Sequence, residues 1–301
     1  PIPDDARRRL AVGWLTLGLA ALVGSGLYTV LLVLARMPFA QRIFARTDFF
    51  HTALVVHVDL SVLVWFIAFG GLLWTLNSTP RWLALGWAAI AAAALGALLL
   101  MAAPLAPEPS PLMSNYIPVL RQPLFMAGLL LFALGSTLLV LRAMIAIPPV
   151  GMYLAGSGAL RFGLNTAAVA TVLALIAFAW SYVLLPSHLE GRAFYELLFW
   201  GGGHVLQFSY TLLMLVAWLW LASASGVRLP LTPRVTLLLF ALGLIAVFLV
   251  PVIYYSAPVT APEHIKLFTW LMQYGGSLAA LPLSLAGTAG VVRSPRAHDS
   301  G

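Results

Sequence analysis

The sequence predicts an all-α integral membrane protein with about eight transmembrane helices. Hydrophobic residues make up 62% of the 301 residues and charged residues only 8%, whereas a soluble domain carries about 25% charged residues. So few charges cannot form a water-facing surface, and lipid must therefore cover most of the protein surface. Eight apolar stretches, each about 20 residues or longer, are long enough to cross a bilayer.

The eight stretches are separated by connectors that contain proline and polar residues. They cover residues 10–35, 50–76, 82–103, 120–146, 162–185, 195–222, 233–255 and 266–290. In lipid the backbone must satisfy its own hydrogen bonds, which favours helices, because barrel strands would read as alternating segments of about ten residues. We therefore expect one membrane domain over 1–301, with a short polar N-terminus at 1–9 and a polar tail at 291–301.

Cysteine is absent from the chain. This excludes disulfides, iron–sulfur clusters, thiolate-bound zinc and covalently attached c-type haem. The net charge of +7 comes mostly from arginines in short connectors and forms no basic patch. The composition therefore predicts the lipid bilayer, and no nucleic acid, as a partner.

The distribution of basic residues predicts the orientation of the chain. With the N-terminus inside, the inner connectors hold ten Arg and Lys residues and the outer connectors hold six, and Arg7, Arg8 and Arg9 contribute most to this bias. We expect a multi-pass protein of a bacterial-type inner (cytoplasmic) membrane, with both termini cytoplasmic.

Five of the six histidines fall near the outer ends of the predicted helices in this orientation: His51, His57, His188, His204 and His264. Ionisable groups within membranes are rare and usually functional, and imidazole is the commonest metal ligand. The layer therefore predicts a haem or metal site in the outer half of the membrane. The alternative is that each ring only hydrogen-bonds a neighbouring helix or contacts headgroups.

Three glycines, Gly201, Gly202 and Gly203, directly precede His204 within an apolar helix. Glycine removes side-chain bulk, so a large group can approach the backbone there. Either a porphyrin face or a closely packed helix would use this space.

Asp59 lies two residues after His57. Residues at i and i+2 do not share a helix face, so we expect no direct bond between these two side chains. An aspartate at this depth should face the interior of the bundle. It would hold a proton or orient a ligand, or it would bond a serine or tryptophan of a neighbouring helix.

Three histidine-bearing segments share a recognisable pattern. They read F-F-H-T-A-L-V-V-H at 49–57, F-Y-E-L-L-F-W-G-G-G-H-V-L-Q-F at 194–208 and A-P-E-H-I-K-L-F-T-W-L-M-Q-Y-G at 261–275. In order, spacing and placement the chain resembles subunit I of the haem–copper oxidase superfamily, which includes cytochrome oxidases and nitric oxide reductases. The first segment is similar to the family's second helix, the second to its sixth helix, and the third falls where the family places a histidine pair.

The resemblance implies a shortened, divergent bundle of the haem–copper oxidase type that lacks the last helices. It implies haem b and copper as cofactors. His51 or His57 would be an axial haem ligand, and we favour His57 because it lies deeper. His204 and His264 would match two copper-site ligands, and His204 is also a candidate for haem.

Two departures from the family limit the expected function. The family's tenth helix supplies an axial ligand to each haem, whereas this chain has eight spans, and Ile265 follows His264 where a second histidine is expected. We therefore expect an electron-transfer subunit of a respiratory oxidoreductase complex, resembling oxygen or nitric oxide reductases, and not a stand-alone enzyme. Its partners would be other membrane or cytochrome subunits, and quinol or cytochrome c. The alternative is a copper- or haem-handling, assembly or structural subunit without redox turnover.

Overall fold

A computed structural model describes residues 3–39, 48–107, 109–148, 150 and 156–293. Eight helices within these ranges are long and apolar enough to cross a membrane. They are α1 (Ala6–Ala35), α2 (Phe49–Asn77), α3 (Leu83–Leu105), α4 (Pro123–Ile145), α5 (Gly156–Leu184), α6 (Gly191–Ala224), α7 (Pro233–Ser256) and α8 (Pro262–Arg293). The chain is thus a multi-pass helical membrane protein, and the prediction of eight spans is confirmed.

Three of the helices are irregular inside the span. A π-helical turn interrupts α2 at Asp59–Val64 and another interrupts α8 at Leu271–Gly275. In α7 the regular α-helix ends at Val247 and begins again at Val250. Pro251 follows this break, and its missing N–H removes one bond of the helical ladder.

The connector between α3 and α4 carries a small hairpin that the sequence did not predict. Strand β1 (Pro111–Leu112) pairs antiparallel with β2 (Val119–Leu120), with Pro111 opposite Leu120. The two strands bring residues 113–118 into a tight loop between them.

The described chain separates into two compact units. The first comprises Pro1–Ile147 and Phe178–Gly203, and the second comprises Pro148–Ala177 and His204–Gly301. The polar tail expected at 291–301 is helical as far as Arg293, and its remainder lies outside the described residues.

Close helix contacts at glycine hold the first unit together. A Cβ at Gly96 of α3 would lie 2.5 Å from the backbone N of Phe132 in α4, and one at Gly135 would lie 2.5 Å from the backbone N of Ala93. These two backbones therefore touch directly, as small residues allow in membranes. In the same way the Trp14 ring of α1 fills the space over Gly71 of α2.

A buried arginine closes the turn between α2 and α3. Arg142, in the last turn of α4, is only 2% exposed. Its Nε donates to the Trp82 carbonyl at 3.2 Å, and its Nη2 donates to the carbonyls of Thr79 and Arg81 at 3.1 and 3.3 Å. The negative ends of helix dipoles also favour a cation at this place.

The second unit is joined by polar contacts between its helices. Ser209 Oγ of α6 lies 2.7 Å from Thr171 Oγ1 of α5 and donates to the Ala167 carbonyl at 3.0 Å. The Tyr254 hydroxyl of α7 donates to the Ala177 carbonyl of α5 at 2.8 Å. All of these polar groups are buried, so each needs its bond inside the protein.

Candidate functional site

His57 lies in α2, in the first unit, and its ring is held by α1. Its Nδ1 lies 2.8 Å from Ser25 Oγ, 3.1 Å from Thr29 Oγ1 and 3.1 Å from the Ser25 carbonyl. Both hydroxyls have carbonyl acceptors of their own, His57 O and Ser25 O, each at 3.1 Å. The Ser25 carbonyl can only accept, so Nδ1–H donates to it, and in the neutral ring the lone pair is on Nε2.

His51 is held differently, at the start of the same helix. Its ring is exposed and its Nδ1 lies 2.7 Å from a carboxylate oxygen of Asp48. Asp48 also caps the helix by accepting the His51 backbone N–H at 3.3 Å. His57 is half-buried and His51 is exposed, so the geometry favours His57 over His51 as a ligand.

Asp59 stands at the first position of the π-helical turn in α2. It is 1% exposed, and neither carboxylate oxygen has a hydrogen-bond partner among the described residues. The bond to a neighbouring serine or tryptophan, one of the two alternatives, is therefore not formed by this part of the chain. A buried carboxyl without a partner is costly and is usually retained for function.

The glycines of α6 in the first unit receive aromatic rings of the chain itself. A Cβ at Gly202 would lie 2.3 Å from the Phe178 ring, and one at Gly203 would lie 2.2 Å from the Tyr116 ring. Gly201 is buried beside them. Of the two expected uses of this space, close packing of protein groups is the one that these contacts show.

Two polar contacts hold Asn115, the residue before Tyr116, and a tryptophan packs against Tyr116 itself. The Glu196 carboxylate accepts a bond from the Asn115 backbone N–H at 3.1 Å and another from Asn115 Nδ2 at 2.5 Å. Trp200 packs edge-on against the Tyr116 ring, with centroids 5.8 Å apart. Burial, together with the negative charge of Glu196, raises the pKa of the Tyr116 phenol, so this hydroxyl stays protonated at neutral pH.

His264 is buried near the start of α8, in the second unit, with 1% of its surface exposed. Its Nδ1 lies 3.1 Å from the Ala257 carbonyl. A carbonyl can only accept, so Nδ1 carries the proton and Nε2 carries a lone pair. Nε2 is buried and has no hydrogen-bond partner among the described residues.

His204 and His264 both pack against the ring of Phe268. The centroid of Phe268 is 5.8 Å from that of His204 and 5.1 Å from that of His264. Tyr254 packs edge-on against His264, with centroids 5.0 Å apart. The structure thus brings His204 and His264 into one aromatic cluster, which we define as His204, Tyr254, His264 and Phe268.

The donor set of the described residues bears on the expected haem and copper. In the ranges that the structure describes, no three His, Asp or Glu side chains lie close enough together to hold a metal ion. The expected copper site has only two imidazoles from this chain, those of His204 and His264, so copper there stays a prediction. A haem needs only one or two axial imidazoles, and the buried lone pair of His264 fits that requirement.

Several neighbours of these rings were not predicted from the sequence. Ser25 and Thr29 are one turn apart in an otherwise apolar helix, and this i, i+4 polar pair was an available signal. Tyr254 and Phe268 carried no such signal, because an aromatic residue in an apolar helix is ordinary.

No family model matches the chain and no solved structure matches it. An uncharacterised protein of Rickettsia prowazekii (strain Madrid E) is 31% identical over 252 residues, which are 73% of this chain and 48% of that protein. An uncharacterised protein of Aquifex aeolicus (strain VF5) is 29% identical over 206 residues, 68% of this chain and 52% of that protein. The chain spans about half the length of the curated relatives it matches.

Proposed function

We propose that the chain binds a b-type haem and serves as an electron-transfer subunit of a respiratory membrane oxidoreductase, as its resemblance to haem–copper oxidase subunit I implies. The observation that carries the proposal is the buried, unpartnered Nε2 of His264. Burying an acceptor without a partner costs about 1–3 kcal/mol. A ligand that binds this nitrogen would remove that cost.

The bond at Nδ1 supports the same role. Imidazoles that bind metals commonly donate the other ring N–H to a carbonyl or carboxylate, which fixes the tautomer and the ring orientation. His264 donates to the Ala257 carbonyl, and His57 is held by Ser25 and Thr29 in the same manner. His264 and His57 are therefore two separate candidates for an axial ligand, each supported by contacts within its own unit.

A bound haem would supply one-electron transfer, and the residues of this chain would set its surroundings. Phe268 and Tyr254 pack against His264 and present apolar faces beside it. The Tyr254 hydroxyl is held by the Ala177 carbonyl, so its ring orientation is fixed. Such a shell excludes water and tunes the potential of a buried haem iron.

The visible spectrum of the purified protein tests the proposal. We expect a reduced-minus-oxidised difference typical of haem b, with iron bound to the chain. Replacing His57 or His264 by alanine should remove this signal or shift it to another ligation state. Ser25→Ala should weaken haem binding about tenfold or more, because it removes a partner of Nδ1.

His188→Ala is the matched control, because His188 is an exposed histidine in the connector between α5 and α6. It should leave the spectrum and the iron content unchanged. The proposal is wrong if the purified wild-type chain, supplied with haem, carries neither iron nor a haem spectrum. It is equally wrong if both histidine variants keep an unaltered haem spectrum.

A second candidate is a structural or assembly subunit without redox turnover. The packing of Phe178 and Tyr116 against Gly202 and Gly203 favours it, because these rings use space that a porphyrin would otherwise need. Metal analysis separates the two: copper without iron supports copper handling, and the absence of both metals supports a structural role.

A further inference from the structure

A groove of about 470 Å³ lies in the second unit, between the ends of α6 and α8. Its walls are almost entirely apolar, with one hydroxyl from each side. The lining residues include Trp218, Leu219, Ala222, Ser225, Gly287 and Thr288. Its volume falls within the range of about 300–1,000 Å³ that is typical of ligand sites.

Two arginines stand at the same end of the groove. Val227 and Val292 line the groove, and Arg228 and Arg293 are the next residues along the chain. The two segments are adjacent, because a Cβ at Gly290 would lie 3.2 Å from the Arg228 carbonyl. Both arginines are exposed, and neither forms an ion pair with a described carboxylate.

We propose that this groove binds one anionic phospholipid, with an acyl chain between α6 and α8 and the phosphate at Arg228 and Arg293. An apolar channel in a membrane helix bundle suits an acyl chain. Its cationic end favours a negative headgroup over a zwitterionic one. Each arginine near a membrane surface raises the affinity for an anionic lipid about fivefold. The Ser225 and Thr288 hydroxyls can donate to ester or phosphate oxygens.

A groove-filling variant tests the acyl-chain part. Gly287 lines the groove, and a Cβ there meets no atom within 4 Å, so Gly287→Leu adds apolar bulk at the groove wall from an open position. Gly26→Leu in α1 is the matched control, because a Cβ at Gly26 also meets no atom within 4 Å. Delipidated protein is titrated with dioleoyl phosphatidylglycerol and the bound lipids are counted by native mass spectrometry. We expect Gly287→Leu to lose one tightly bound lipid per chain and Gly26→Leu to keep it.

The double variant Arg228→Gln/Arg293→Gln tests the headgroup part. We expect the preference for dioleoyl phosphatidylglycerol over dioleoyl phosphatidylcholine to fall about fivefold per arginine removed. Thermal unfolding of each variant shows whether it is folded. The proposal is overturned if folded Gly287→Leu retains as many lipids as the wild type. It is also overturned if the wild type binds both lipids equally, or if the groove proves to be covered by a second copy of the chain.

Discussion

Ligand binding by a histidine depends on which of its ring nitrogens is not already engaged by the protein. His57 and His264 both engage Nδ1 with oxygens of the protein. His51, by contrast, pairs with Asp48 at an exposed helix start. His51 and His57 are only six positions apart but have different surroundings. His57 faces α1, whereas His51 faces the capping carboxylate of Asp48.

Substituting Gly203 by alanine should destabilise the protein by about 1–3 kcal/mol, because the new methyl group would overlap the Tyr116 ring. Gly26→Ala is the control, since its Cβ enters open space. The control should be neutral or stabilising by about 0.5–1 kcal/mol, as alanine replaces glycine in a helix. Thermal unfolding in detergent measures both. Equal stability of the two variants would contradict the close packing at Gly203.

At the scale of one helix, α2 combines the fixed imidazole of His57 with a π-helical turn that begins at Asp59. π-helical turns inside α-helices occur frequently at functional sites. The turn also rotates the residues after Asp59 relative to those before it. An apolar stretch does not reveal such a turn, because the hydrophobic pattern is the same on all sides of the helix.

Replacing Asp59 by valine should preserve or raise the stability of the protein, by about 1–3 kcal/mol, because two buried oxygens without partners are removed. Asp48→Ala is the contrasting variant in the same helix. It removes a helix cap and should cost about 0.5–2 kcal/mol. The unfolding temperature should fall for Asp48→Ala and should stay the same or rise for Asp59→Val. A larger loss for Asp59→Val than for Asp48→Ala would show that the carboxyl has a partner.

At the scale of the whole molecule, the eight spans agree with the predicted stretches to within a few residues at most ends, and to six at the start of α5. The agreement follows from composition, because any stretch of about 20 apolar residues meets the requirement for crossing a bilayer. The hairpin between α3 and α4 was not predicted, because two-residue strands leave no periodic signal.

The orientation of the protein can be tested directly because the chain has no cysteine. Single-cysteine variants Ser187→Cys and Ser223→Cys place a thiol in the connector before α6 and at the end of α6, and both positions are exposed. With the N-terminus inside, a membrane-impermeant maleimide should label Ser187→Cys in intact cells. Ser223→Cys should be labelled only after permeabilisation. The reverse pattern would show that the termini face outwards.

The sequence alone determined the membrane class, the number of spans and which histidines are candidate ligands. These follow from local hydrophobicity and from the rarity of ionisable groups in lipid. Only the tertiary structure decided that Ser25 holds His57, that Tyr116 fills the space over Gly203, and that His204 and His264 share the Phe268 ring. The physical reason is that these contacts join residues distant in the chain, and uniformly apolar helices do not encode which faces will meet.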